Sequence, residues 1–104
     1  MKPKLFILKM PFKDPDIEGS ESGLWFCAHC ALIEGALQVN PQWYEHIEVI
    51  HVDFPRPRQP LVDIVGPDKQ WLPALVISPK NIITDPVDIS NYLAETFGGA
   101  SPHP

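Results

Sequence analysis

Two cysteines are all that the 104 residues contain, and they stand two residues apart, at positions 27 and 30. A secreted domain stapled by disulfides carries several cysteines spread along its length, so the pair points instead to redox or metal chemistry in the reducing cytoplasm. Basic side chains are also scarce. Eight Lys and Arg face thirteen Asp and Glu, a formal charge of −5. Nucleic acids and anionic membranes both need a basic patch, to release counterions or to meet headgroups, so neither partner is expected. Long apolar runs are missing too. The longest, 5–8 and 72–77, fall far short of the roughly 20 residues of a membrane span. Lysines at 2, 4 and 9 flank a run too short for a secretory signal and without its small-residue cleavage site.

What remains suits one small soluble domain over residues 1–97, since a 44% hydrophobic content supports one modest core. Lys4 to Lys9 is a β-rich run closed by Met10-Pro11, because proline withholds a donor from the ladder. Pro11 to Gly23, mixing proline, glycine, serine and acids, predicts a long surface loop. From Cys27 to Asn40 the residues Cys30, Ile33 and Leu37 mark one helical face, and Asn40-Pro41 ends it. His46 to Phe54 is rich in β-branched residues and predicts a strand. Prolines 55, 57 and 60 then precede a short helix on Leu61, Ile64 and Val65, closed by Gly66-Pro67. Leu75 to Ser78 and Asn81 to Thr84 predict a hairpin, and Pro86 to Phe97 a last helix ended by Gly98-Gly99. Residues 98–104 are expected to be a disordered tail. The order is β-α-β-α-β-β-α, an α/β chain.

The dithiol Cys27-Ala28-His29-Cys30 sits where the first helix should begin. Positions i and i+3 share one side of a helical turn, so the two sulfurs come within reach of each other. Unpaired N–H groups and the positive end of the helix dipole favour an anion there, which makes Cys27 the better nucleophile. Cys30 shares the stripe of Ile33 and Leu37, is expected to be buried, and takes the resolving role. His29 either stabilises the Cys27 thiolate by donation or charge, or is a solvated side chain on the exposed side of the turn. The residues leave three readings open: a redox-active dithiol, a metal-ligand pair, and an inert pair.

Three stretches carry a resemblance to the thioredoxin/glutaredoxin superfamily, spanning Lys4 to Phe97. Trp25-Phe26-Cys27-Ala28-His29-Cys30 looks like its active-site motif, with phenylalanine where tryptophan commonly precedes the first cysteine. Leu72-Pro73-Ala74-Leu75-Val76 looks like its cis-proline leading into the third strand. Asp85-Pro86-Val87-Asp88-Ile89-Ser90-Asn91-Tyr92-Leu93 is similar to the start of the last helix in glutaredoxins and in the N-terminal domains of glutathione transferases. The whole looks most like a bacterial branch of the superfamily.

The resemblance implies a thioredoxin-like three-layer fold, a four-stranded mixed sheet with flanking helices. It implies a thiol–disulfide oxidoreductase in which Cys27 attacks, Cys30 resolves and His29 assists, while Trp25, Phe26, Leu72, Pro73 and Asp85 line the substrate. Protein disulfides or low-molecular-weight thiols are the expected partners, with no cofactor and no bound metal. The backbone of Leu72 is expected opposite Cys27, free to pair with an extended substrate.

Glutathione is weakly supported. The family offers a hydroxyl and a backbone N–H at the position of Pro86, which has neither, and Asp85 is equally well explained as the cap of the last helix. A full transferase is not expected, for want of chain to build its helical second domain. The alternative function is a non-catalytic thioredoxin-like module, holding zinc or an iron–sulfur cluster through Cys27 and Cys30 of two chains or binding a protein with the dithiol as a relic.

Other signals are discounted. Asp14-Pro15-Asp16 imitates a calcium loop, but its twelfth position is Trp25 rather than a bidentate acid. His46 and His51, five apart on a strand, are expected on opposite faces. Arg56 and Arg58 are expected to be solvated. Trp25 and Phe26 form either an exposed docking rim or a pin between loop and core.

Overall fold

A computed structural model describes residues 2–17 and 23–104, so the stretch 18–22 of the expected surface loop lies outside the described residues. The elements follow the expected order: β1 (Lys4–Leu8), α1 (Ala28–Val39), β2 (Glu48–Val52), α2 (Gln59–Val65), β3 (Ala74–Ser78), β4 (Asn81–Ile83) and α3 (Pro86–Phe97). They build a four-stranded mixed sheet in the order β2-β1-β3-β4. β1 pairs parallel with β2 and antiparallel with β3, and β3 pairs antiparallel with β4. This is an α/β chain with the thioredoxin-like layout.

The three layers follow from the pleat of β1. Side chains alternate between sheet faces along a strand. Leu5 and Ile7 therefore join Ile33 and Leu37 of α1 and Ile89 and Leu93 of α3 in one core cluster. Phe6 points the other way, to Leu61 of α2 together with Val52 and Val76. A strand covered on both sides reads as a continuous apolar run, which is why KLFIL does not alternate with polar residues.

Four expectations are corrected. The second strand is shorter than 46–54, because 41–45 form a 3₁₀ turn that buries Trp43 and ends at His46. His46 thus lies before β2 and stacks on Phe97 with ring centroids 4.7 Å apart, so the opposite-face argument does not apply to it. Arg58 is buried at 8% exposure rather than solvated. The tail is tied down at its start. Trp43 donates its Nε1–H to Gly98 O at 2.7 Å, and the Asn40 side chain both accepts from Ala100 N–H at 2.7 Å and donates to Ala100 O at 3.2 Å. A buried indole N–H and a buried amide each require a partner, and the chain after α3 supplies both.

Candidate active site

Cys27 is the N-cap of α1. Its backbone is extended (φ −82°, ψ 117°), and its Sγ accepts the Cys30 N–H at 3.2 Å. Its carbonyl takes the first helical bond, from Ala31 N–H at 2.8 Å. A cap normally presents an oxygen to the free N–H groups of the first turn, and here a sulfur does so. No acid stands in the first turn of α1, so nothing there opposes the favourable interaction of the helix end with negative charge. Both cysteines are free thiols; Cys27 is half-buried and Cys30 fully buried. Burial pushes the Cys30 thiol up to about 12; the Leu8 backbone pulls it down, and Cys27 and Glu34 add to the rise. One sulfur is therefore held at a helix start within reach of solvent, and the other is kept protonated in the core.

The remaining expected site residues divide. The backbones of Trp25 and Phe12 exchange hydrogen bonds at 2.8 and 3.0 Å, pinning the loop before Cys27. Their side chains differ: Phe12 is partly buried, while Trp25 and, at 68%, Phe26 are exposed. The loop is thus held through its backbone, and both aromatic side chains lie at the surface. The Leu72-Pro73 bond is cis, and Leu72 packs on the cluster that also holds Cys27. His29 is exposed on the first turn, and among the described residues no hydrogen bond links its ring to Cys27. Asp85 caps α3 by accepting Asp88 N–H at 3.0 Å, with Pro86 buried behind it. Among the described residues no group of three or more His, Cys, Asp or Glu side chains is placed to hold a metal ion.

Four further residues carry no signal strong enough to single them out from the sequence. Met10 Sδ accepts the Cys27 N–H at 3.2 Å. Trp71, 56% exposed, directly precedes Leu72-Pro73, and that adjacency was the available signal. Arg58 and Gln70 form the third and fourth. The Gln70 side chain accepts Arg58 N–H at 2.7 Å, and the guanidinium donates to Gln70 O at 2.6 Å and to Phe54 O at 3.0 Å. Burial lowers the Arg58 guanidinium from its ordinary range and Arg56 repels it, while attraction to Cys30 and Cys27 pulls the other way. Arg58 is thus a cation buried in the loop before α2. No local pattern announces it, because its partner is twelve residues away.

The chain matches, over residues 2–101, the family described as protein of unknown function DUF3088. It belongs to that family. No curated protein and no solved structure matches the chain. Membership in DUF3088 brings no activity with it, so the chemistry has to be argued from Cys27 and its surroundings. Among the described residues no helix is long and apolar enough to cross a membrane.

Proposed function

We propose that this chain is a thiol–disulfide oxidoreductase of the cytoplasm, acting on disulfides of proteins or of small thiols. The observation that carries the reading is the sulfur cap: Cys27 Sγ takes the Cys30 N–H at the start of a helix, with Cys30 buried beneath it. In the reaction the Cys27 thiolate attacks one sulfur of the substrate disulfide. That bond breaks, and the departing thiolate takes up a proton. Cys30 then loses its proton and attacks the Cys27 sulfur, which releases the second substrate thiol and leaves a Cys27–Cys30 disulfide. Two electrons pass from the dithiol to the substrate. Because burial holds the Cys30 proton tightly, resolution is expected to be slower than attack. Trp25, Phe26 and Trp71 offer exposed aromatic surface next in the chain to Cys27 and to Leu72-Pro73.

A redox titration in thiol–disulfide buffers, read by alkylation and mass, tests the proposal. One reversible two-electron couple is expected between about −270 mV and about −120 mV, and it should vanish in Cys27→Ser. Absence of any reversible couple overturns the reading. So does stoichiometric zinc or iron in freshly purified protein that is lost in Cys27→Ser, which would establish the metal-binding module.

A further inference from the structure

Half of the chain's scarce cations are gathered in one place. Lys9, Lys13 and Arg56 line a cavity of about 600 Å³, and Lys13, Arg56 and Arg58 line a second of about 480 Å³. The cavities share Lys13, Phe54, Pro55 and Arg56, so they form one groove. Four of the eight Lys and Arg residues lie along it, but of the acids among the described residues only Asp16 and Asp53. The other described residues carry nine acids against four bases, and the groove stands out as a positive strip on a negative protein.

Within the strip the charges are not all engaged. Lys9 lies 3.6 Å from Asp53, and two bonds from Arg58 go to backbone carbonyls. Lys13 and Arg56 are exposed and, among the described residues, neither is ion-paired. Between them runs an apolar floor, the stacked rings of Phe12 and Phe54 with centroids 4.5 Å apart. The floor is joined to the segment before the dithiol, since Phe12 pairs with Trp25 two residues before Cys27.

We propose that this groove docks an acidic polypeptide segment flanking the disulfide that Cys27 attacks. The proposal rests on the oxidoreductase reading for its site of attack. A polypeptide fits better than a small anion because the four cations line adjoining cavities in different sets: of these two, Lys9 lines the larger, Arg58 the smaller, and Lys13 and Arg56 both, while Lys9 and Arg58 line a third of about 260 Å³. Each of the first two cavities alone has the size of a whole small-molecule pocket. Carboxylates spaced along a chain match spread cations over an aromatic floor, and a field of this sign raises the encounter rate of an acidic partner.

The test uses two short peptides with one central cysteine held as a 2-thiopyridyl mixed disulfide, one flanked by Glu and Asp, the other by Lys. Reduced protein releases 2-thiopyridone as Cys27 attacks. The acidic peptide is expected to react about tenfold faster or more at low salt, the preference shrinking in about 1 M salt. Lys13→Glu/Arg56→Glu should abolish the preference while leaving the rate with uncharged hydroxyethyl disulfide unchanged, and Lys80→Glu, on the β3–β4 turn, should keep it. Equal rates for the two peptides, or a preference that survives the double variant, overturns the proposal. So does a preference for the small dianion dithiodiglycolate with none for the acidic peptide.

A second arm separates this idea from the chemistry on which it rests. A rhodamine-labelled acidic peptide lacking cysteine is titrated against Cys27→Ser/Cys30→Ser protein by fluorescence anisotropy. Salt-sensitive binding there, without thiol exchange in the native protein, upholds docking and sinks the oxidoreductase reading. Exchange with no charge preference, together with no binding in this arm, sinks docking alone.

Discussion

At the scale of single residues, the two cysteines differ because one helical turn carries the chain from the surface into the core. Cys27 caps the helix and Cys30 packs with Ile33 and Leu37. The burial has a consequence for stability. A thiol whose pKa is about 12 when folded, against an ordinary value of 9.0, holds its proton more tightly in the folded chain. The stabilisation is fully present below about pH 9 and is lost as pH rises towards 12, because over that window the unfolded chain releases a proton the folded chain keeps. Denaturant melts of reduced protein across this range should show a decline that is shallower in Cys30→Ala. Identical pH slopes in the two proteins would contradict the burial argument. Arg58 shows the opposite lesson, since a residue flanked by prolines looks solvated until Gln70 and Phe54 close over it.

At the scale of elements, helix starts decide what the candidate site residues do. α1 begins on a sulfur and α3 on a carboxylate, each accepting the N–H three residues on. For Asp85 this geometry favours the capping role over a ligand-binding one. Asp85→Ala should cost about 1 kcal/mol of stability, measured by urea denaturation, while leaving the thiol-exchange rate with hydroxyethyl disulfide unchanged. A stability unchanged by the substitution, with a weakened response to a small-thiol substrate, would return Asp85 to the binding site. The boundaries of α1, α2 and α3 were legible from periodicity and from the prolines and glycines at their ends. The 3₁₀ turn at 41–45 was not legible, because it is held by Trp43 reaching a carbonyl fifty-five residues away, which no local pattern encodes.

At the scale of the whole molecule, the chain closes on itself where α3 ends. Gly99 adopts φ +109°, and a Cβ there would lie 2.5 Å from the Asn40 side chain that holds Ala100. Gly99→Ala should therefore lower stability by about 1 kcal/mol or more, and amide exchange at Ala100 should accelerate. Gly35→Ala provides the contrast. Position 35 lies inside α1 with open space where a Cβ would go, so the same substitution should stabilise by roughly 0.5–1 kcal/mol. Equal and small effects at both positions would show that the closure contributes little.

The sequence by itself determined the element order and the placing of the dithiol at a helix start, because these depend on periodicity, capping and breakers that act over a few residues. Tertiary structure alone decided which cations stay exposed and which are buried, where the tail is fastened, and that four of the eight basic side chains gather along one groove. Those features join residues far apart in the chain, and their energies come from burial and pairing that exist only once the sheet has brought the loops together.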